Sequence, residues 1–266
     1  LDHAMIGTVH SVCQRMIGKY WFNLGLSPNM GVMAEEDTKY YISQSLADLP
    51  SEAELELLHE FVKYFDLRET EGFKVKQTIN YDFWQNHLKG IIDYATNYEL
   101  DDFAKSEEES LKYIRQFVNV NNCDCVFTYN ELKDVVDEHE AFLRSQKQSK
   151  ANDERIEKIV QAKYNLHKPT IFTLKSINDT IGTPKKYGPL AAAFADKFAN
   201  IWSSEMVYEK QEGYIKLLFE LAMRWKENFA QFKREKNLLD YNDMEKYMRQ
   251  LMQNEDIANE ISQSYR

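Results

Sequence analysis

Two stretches of this sequence carry residue types and spacings suited to holding a phosphate. Near the start, Ile6-Gly7-Thr8-Val9-His10-Ser11-Val12-Cys13-Gln14-Arg15-Met16-Ile17 reads as a strand end, residues 5 to 9, running straight into a helix. Thr8 falls at the N-cap position and Ser11 three residues later. A helix start presents backbone N–H groups without helical acceptors and a partial positive charge, and both favour an anionic oxygen. Thr8 and Ser11 add hydroxyls, His10 an imidazole, and Arg15 and Lys19 positive charge one and two turns on. A plain capped strand-to-helix turn uses the same residues, and spacing alone leaves both readings open. Toward the end lies Lys233-Arg234-Glu235-Lys236-Asn237-Leu238-Leu239-Asp240-Tyr241-Asn242-Asp243-Met244. Asp240 can cap a helix whose core face is Met244, Tyr247, Met248, Leu251 and Met252. Lys233, Arg234 and Lys236 close the preceding helix, where positive charge also complements the helix dipole. Phosphate contact and dipole pairing both account for that cluster.

A third basic feature is the loop Thr183-Pro184-Lys185-Lys186-Tyr187-Gly188-Pro189. Arg144 to Lys168 adds seven bases against three acids, a local charge of +4. The chain as a whole carries −10, the wrong sign for a compact nucleic-acid-binding domain, because phosphate neutralisation dominates such affinity. Acid is concentrated: Glu35 to Glu71 holds eleven acids and three bases, net −8. DNA contact therefore requires the basic features to form a track segregated from this acidic lobe. A scattered, solvated surface is the alternative arrangement. Any isolated DNA binding is expected at the loose end of non-specific affinity, ~10⁻⁴ M or weaker.

Several chemistries are excluded. No Gly-x-x-x-x-Gly-Lys-[Ser/Thr] occurs; Gly18-Lys19-Tyr20 lacks both the leading glycine and the hydroxyl that would meet magnesium. Val135-Val136-Asp137-Glu138-His139-Glu140 imitates the end of a nucleotide-binding strand. However, Leu132, Val135, Val136, His139, Phe142 and Leu143 follow helical spacing. No acidic cluster resembles a nuclease metal site. Three cysteines, two of them as Cys123-x-Cys125, make neither a disulfide framework nor a zinc quartet and read as reduced thiols. No apolar run approaches the ~18 residues of a membrane span, and no secretory signal precedes the chain, so a cytoplasmic protein is expected.

The elements that must position these residues are mostly helices. Only 9 Gly and 5 Pro in 266 residues leave few turn signals, while 43% hydrophobic and 13% aromatic content supports a packed core. The expected fold class is all-α, with at most a short strand at the N-terminus and another at Ile171-Phe172-Thr173-Leu174. Helices are predicted over 11–20, over 35–49, from a Ser51/Glu54 capping box, and over 81–98, 111–118 and 131–145. Further helices are predicted after an Asn152 or Asp153 cap, over 190–203 and over 208–232.

Together the two ends resemble one family. Thr8-Val9-His10-Ser11-Val12-Cys13 is similar to the Thr-Phe-His-Ser-Phe-Cys element of UvrD/Rep-type superfamily 1 DNA helicases, which contacts single-stranded DNA. Leu239-Asp240-Tyr241-Asn242-Asp243-Met244 is similar to that family's Leu-Asp-Phe-x-Asp-Leu element. The long helical stretch between them resembles most the RecB/AddA helicase–nuclease branch, a parent with possible exonuclease V character. Val12 replaces the usual aromatic, so no stacking role is carried over to it. The resemblance covers residues 5–20 and 229–262; between them only helical character is recognised.

The resemblance implies residues 1–20 as the end of motor domain 1A, 21–232 as a helical 1B-like insertion and 233–266 as the return into 1A. It implies that Thr8, His10 and Ser11, with Arg15, contact the single strand. Lys185, Lys186, Lys233, Arg234 and Lys236 would meet phosphates. The segment itself would hold no cofactor; ATP and magnesium belong to the parent, with a Walker A expected upstream and Asp-Glu-x-x-Asp just past Arg266, both ends being read as cut from something longer. Expected partners are single-stranded and duplex DNA, the remaining helicase domains and a possible partner subunit, with no membrane. The role expected is DNA repair or recombination. A helical module docking a partner subunit is the alternative, and a stand-alone enzyme would need a polar pocket that no spacing suggests.

Overall fold

The computed structural model describes residues 7–72, 74–97, 103–118, 127–181 and 188–264. It divides into two compact units, the first formed by Leu1–Pro50, Leu88–Asp102 and Glu220–Arg266, the second by Ser51–His87 and Phe103–Phe219. Helices α4 (Phe83–Asn97) and α10 (Glu205–Lys236) contribute residues to both units.

In the first unit, α1 (Val9–Lys19) is followed by β1 (Gly31–Val32) and α2 (Glu35–Ala47). The chain re-enters through α10 and continues as β4 (Leu238–Leu239), α11 (Tyr241–Gln253) and α12 (Glu255–Ser264). β1 and β4 pair in parallel, Gly31 with Leu238 and Val32 with Leu239. One core joins Cys13, Met16, Ile17 and Tyr20 of the α1 segment to Leu239, Met244, Leu251, Ile257 and Ile261. α10 is anchored to α2 by the Trp225 indole, which donates to Ser45 Oγ at 2.6 Å, and by Tyr41 stacked on Phe229 and Phe232.

In the second unit, α3 (Glu52–Tyr64) starts on the expected Ser51/Glu54 capping box. β2 (Arg68–Glu71) and β3 (Lys74–Ile79) form an antiparallel hairpin turning at Gly72, whose φ of 59° a side chain would strain. α5 (Ala104–Arg115), α6 (Tyr129–Ser145), α7 (Lys150–Lys163), α8 (Ile171–Ile181) and α9 (Pro189–Ala199) follow, then a 3-10 turn at Ile201–Ser203. The apolar faces of α6, α7, α8 and α9 close over Leu132, Val136, Leu143, Ile159, Ile177 and Ile181, each at most 2% exposed. Burying each such side chain contributes about 1.5–3 kcal/mol.

The all-α expectation does not hold. Two small sheets among the described residues make this a mixed α/β fold in which helices predominate. Of the hairpin, β2 falls in the stretch read for charge and β3 just past it, where Val75 and Ile79 lie on one face with Lys74, Lys76 and Thr78 on the other. β1 and β4 are two residues each, too short for any periodicity. The strand expected at 171–174 is the first turn of α8: Thr170 Oγ1 accepts from the Thr173 amide, and Ile171, Leu174, Ile177 and Ile181 are buried at helical spacing. Of the strand end expected at 5–9, residues 5 and 6 lie outside the described residues and Val9 already belongs to α1. Ser149, not Asn152 or Asp153, caps α7. The predicted helix over 111–118 starts earlier, at Ala104, and ends at Arg115. Among the described residues, no helix is long and apolar enough to cross a membrane.

Candidate nucleic-acid interface

α1 begins as its residue types dictate. Thr8 Oγ1 accepts from the Ser11 amide at 3.3 Å, and Ser11 Oγ donates to the Thr8 carbonyl at 2.8 Å. This use of Thr8 as an acceptor leaves its own O–H to donate, together with the Val9 and His10 amides that no helical carbonyl reaches. No acidic side chain occupies this first turn, and Thr8, Val9 and Arg15 are exposed. Gly7 makes the arrangement possible, because a Cβ there would stand 2.2 Å from Ser11 Oγ.

His10 does more than line the turn. Its ring stacks on Tyr241, with centroids 4.3 Å apart, and its Nε2 lies 3.8 Å from Glu245 Oε1. The two short stretches, some 230 residues apart in sequence, therefore meet at their helix starts, over the core shared by Cys13 and Met244. Burial, then the Glu245 carboxylate, pushes the Cys13 thiol up, which keeps it protonated and inert. Lys19 is committed elsewhere, in a 3.0 Å ion pair with Glu260.

α11 starts in the opposite way. Asp240 Oδ1 accepts from the Asp243 amide at 2.8 Å, and Asp243 Oδ2 accepts from the Asp240 amide at 3.1 Å, a closed capping box. Lys233 reaches back from α10 and donates to Asp240 at 2.8 Å and to Asp243 at 2.7 Å. Burial alone would pull the Lys233 ammonium down, but the Asp243 and Asp240 carboxylates outweigh it and its affinity for the proton rises. The cluster holds one carboxylate more than it has cations; burial pushes the Asp243 carboxyl up despite Lys233, and Asp240 adds to the rise.

Arg234 and Lys246 remain exposed and have no acidic partner among the described residues. They face a cavity of about 430 Å³ walled by Leu26, Met30 and Leu238, with Asn237 at its edge in the left-handed conformation (φ 53°). That cavity can take an anionic group. Lys236 is exposed on the last turn of α10, whereas Lys185 and Lys186 lie outside the described residues.

Among the candidate residues, the structure groups Thr8, His10 and Ser11 at one helix start and Lys233 and Arg234 along one cavity. Lys233 is spent on carboxylates. Sequence reasoning missed Tyr241 as the stacking partner and Lys246 as a free cation. The Asp240-x-x-Asp243 spacing could have revealed a capping box, but no local rule places Lys233 against it. The nucleotide-strand mimic lies in α6, where Asp137 and Glu140 are ion-paired with Lys163.

The sequence profile of the UvrD/REP helicase N-terminal domain matches residues 1–266. The chain belongs to the UvrD/REP helicase N-terminal domain family. It is 22% identical over 301 aligned residues to an ATP-dependent helicase/nuclease subunit of Lactobacillus johnsonii, with all of this chain and 25% of that protein covered. It is 23% identical over 305 residues to the protein of the same name from Listeria monocytogenes, again with all of the chain and 24% of that protein covered. The chain thus spans about a quarter of the length of these relatives of the UvrD/REP family.

Proposed function

We propose that this UvrD/REP-family chain is the DNA-contacting, largely helical part of an ATP-dependent DNA helicase or helicase–nuclease that works in DNA repair and recombination. The observation that carries the reading is the meeting of the two family-like elements, His10 of α1 on Tyr241 of α11, beside a helix start left open for a phosphate. Thr8, His10, Ser11 and Arg15 contact the single strand. Arg234, Lys236 and Lys246 contact phosphates, joined by Lys185 and Lys186. In this reading residues 21–232 serve as the 1B-like insertion between the flanks of motor domain 1A. The relatives are named as helicase/nuclease subunits, which supports a helicase–nuclease parent. ATP and magnesium are not assigned to any residue of this chain.

Titration with labelled forked DNA at low and high salt tests the proposal. Binding near ~10⁻⁴ M at physiological salt is expected. The double changes Arg234→Glu/Lys246→Glu and Lys185→Glu/Lys186→Glu, and the single change Arg15→Glu, should each weaken it. Removing one phosphate-binding cation should reduce the salt slope by about one. A folded chain that binds no DNA at low salt sinks the DNA role.

A further inference from the structure

The second unit carries a groove between α3 and the first turns of α10, about 180 Å³ in volume, that phosphate chemistry does not explain. Its floor is the Phe61 ring stacked flat on Tyr214, centroids 3.8 Å apart and planes 9° apart. Leu57 forms one wall while remaining 59% exposed. Gly213 opens a notch in the other wall, since a Cβ there would meet nothing within 4 Å. A glycine in the middle of a 32-residue helix weakens it, and here no close packing or positive φ requires one.

The rim is acidic. Glu60 and Glu209 border the groove, and Glu52, Glu56 and Glu60 line up one turn apart along α3. The helix dipole favours Glu52 in the first turn, but Glu56 and Glu60 lie beyond its reach and repel each other. Glu56, Glu60 and Glu209 have no basic partner among the described residues. Lys210 also borders the groove, yet its ammonium is drawn over the Tyr64 ring at 5.7 Å.

We propose that this groove docks a cationic amphipathic helix of a partner protein. An apolar side chain enters the Gly213 notch against Leu57 and Phe61, and flanking Lys or Arg residues settle on Glu56, Glu60 and Glu209. The partner relieves the repulsion along α3, and the same carboxylates disfavour nucleic acid. This role is independent of DNA contact at α1.

The probe is a fluorescein-labelled Leu/Lys amphipathic peptide of about five helical turns, titrated into the full chain by anisotropy beside a Leu/Glu counterpart. Gly213→Leu fills the notch and favours the helix, so its thermal midpoint should not fall. It should weaken Leu/Lys peptide binding at least tenfold, as should Glu60→Lys/Glu209→Lys, and the Leu/Glu peptide should not bind. Forked-DNA affinity should be the same for Gly213→Leu as for the unaltered chain. The proposal is overturned if the unaltered chain ignores the Leu/Lys peptide. A folded Gly213→Leu chain that binds the peptide as tightly as before, or that loses DNA instead, overturns it equally.

Discussion

α1 and α11 start next to each other on short polar caps, yet one start is open and the other closed. At α1 the hydroxyls of Thr8 and Ser11 satisfy one amide and one carbonyl, with no acid in the first turn and the surrounding surface exposed. At α11 two carboxylates satisfy both cap amides and a half-buried ammonium seals them in. Sequence types alone made the two look alike, as basic or polar helix starts. The difference is whether the charge at the helix start is supplied by the protein or left for a ligand.

Removing the ammonium should break the contrast most severely. Lys233→Met leaves the buried Asp240 and half-buried Asp243 carboxylates without a counter-charge and is expected to cost about 3 kcal/mol, read from denaturant unfolding by circular dichroism. Because the Lys233 affinity for protons is raised on folding, its stabilisation is complete below pH 10.5 and is lost as pH climbs through the higher folded value. Lys233→Met should therefore also remove the alkaline fall in stability. A loss under about 1 kcal/mol in the same unfolding experiment would mean that the ammonium does not hold the α11 start closed.

Thr8→Ala tests the open start. Losing the cap should lower stability by about 1 kcal/mol and weaken forked-DNA binding by more than the unfolding accounts for. An affinity unchanged at equal folded fraction would reduce α1 to an ordinary capped helix.

The exposed box at the start of α6 sharpens the comparison with the buried one at α11. The Thr128 amide, then its hydroxyl, and further off Lys197, hold the Glu131 carboxyl down at about 2. Its stabilisation is present above pH 4.5 and drains away as pH falls toward 2. Asp243 has the opposite sign: its folded affinity is raised, so its contribution is fullest below pH 3.8 and is lost as pH rises through the folded value. Glu131→Gln should flatten the acid limb of an unfolding-versus-pH curve. Asp243→Asn should change stability at neutral pH least of all, within about 0.5 kcal/mol, since it removes the surplus charge and keeps a cap acceptor.

Much of the helical frame was legible because its cues are local. Ser51/Glu54 and Asp240 announced caps, and the spacing of Leu132, Val136, His139 and Leu143 separated a helix from a nucleotide-binding strand. Ile171-Phe172-Thr173-Leu174 misled because β-branched residues favour strands, while the deciding fact, burial at Ile177 and Ile181, lies further along. β1 and β4 were invisible since each owes its existence to a partner about two hundred residues away. At the candidate interface, Thr8 and Ser11 were legible from the capping rule. The roles of Tyr241, Lys233 and Lys246 depend on tertiary neighbours that no spacing encodes.

The parallel pairing of Gly31 with Leu238 is fastened by two backbone bonds, from the Gly31 amide to Asn237 and from the Met33 amide to Leu239. Everything between is an excursion that leaves and returns at one fixed stem. Lengthening a flexible connection within it costs only about 0.6 kcal/mol per doubling. Extra residues in those connections would therefore leave the stem undisturbed.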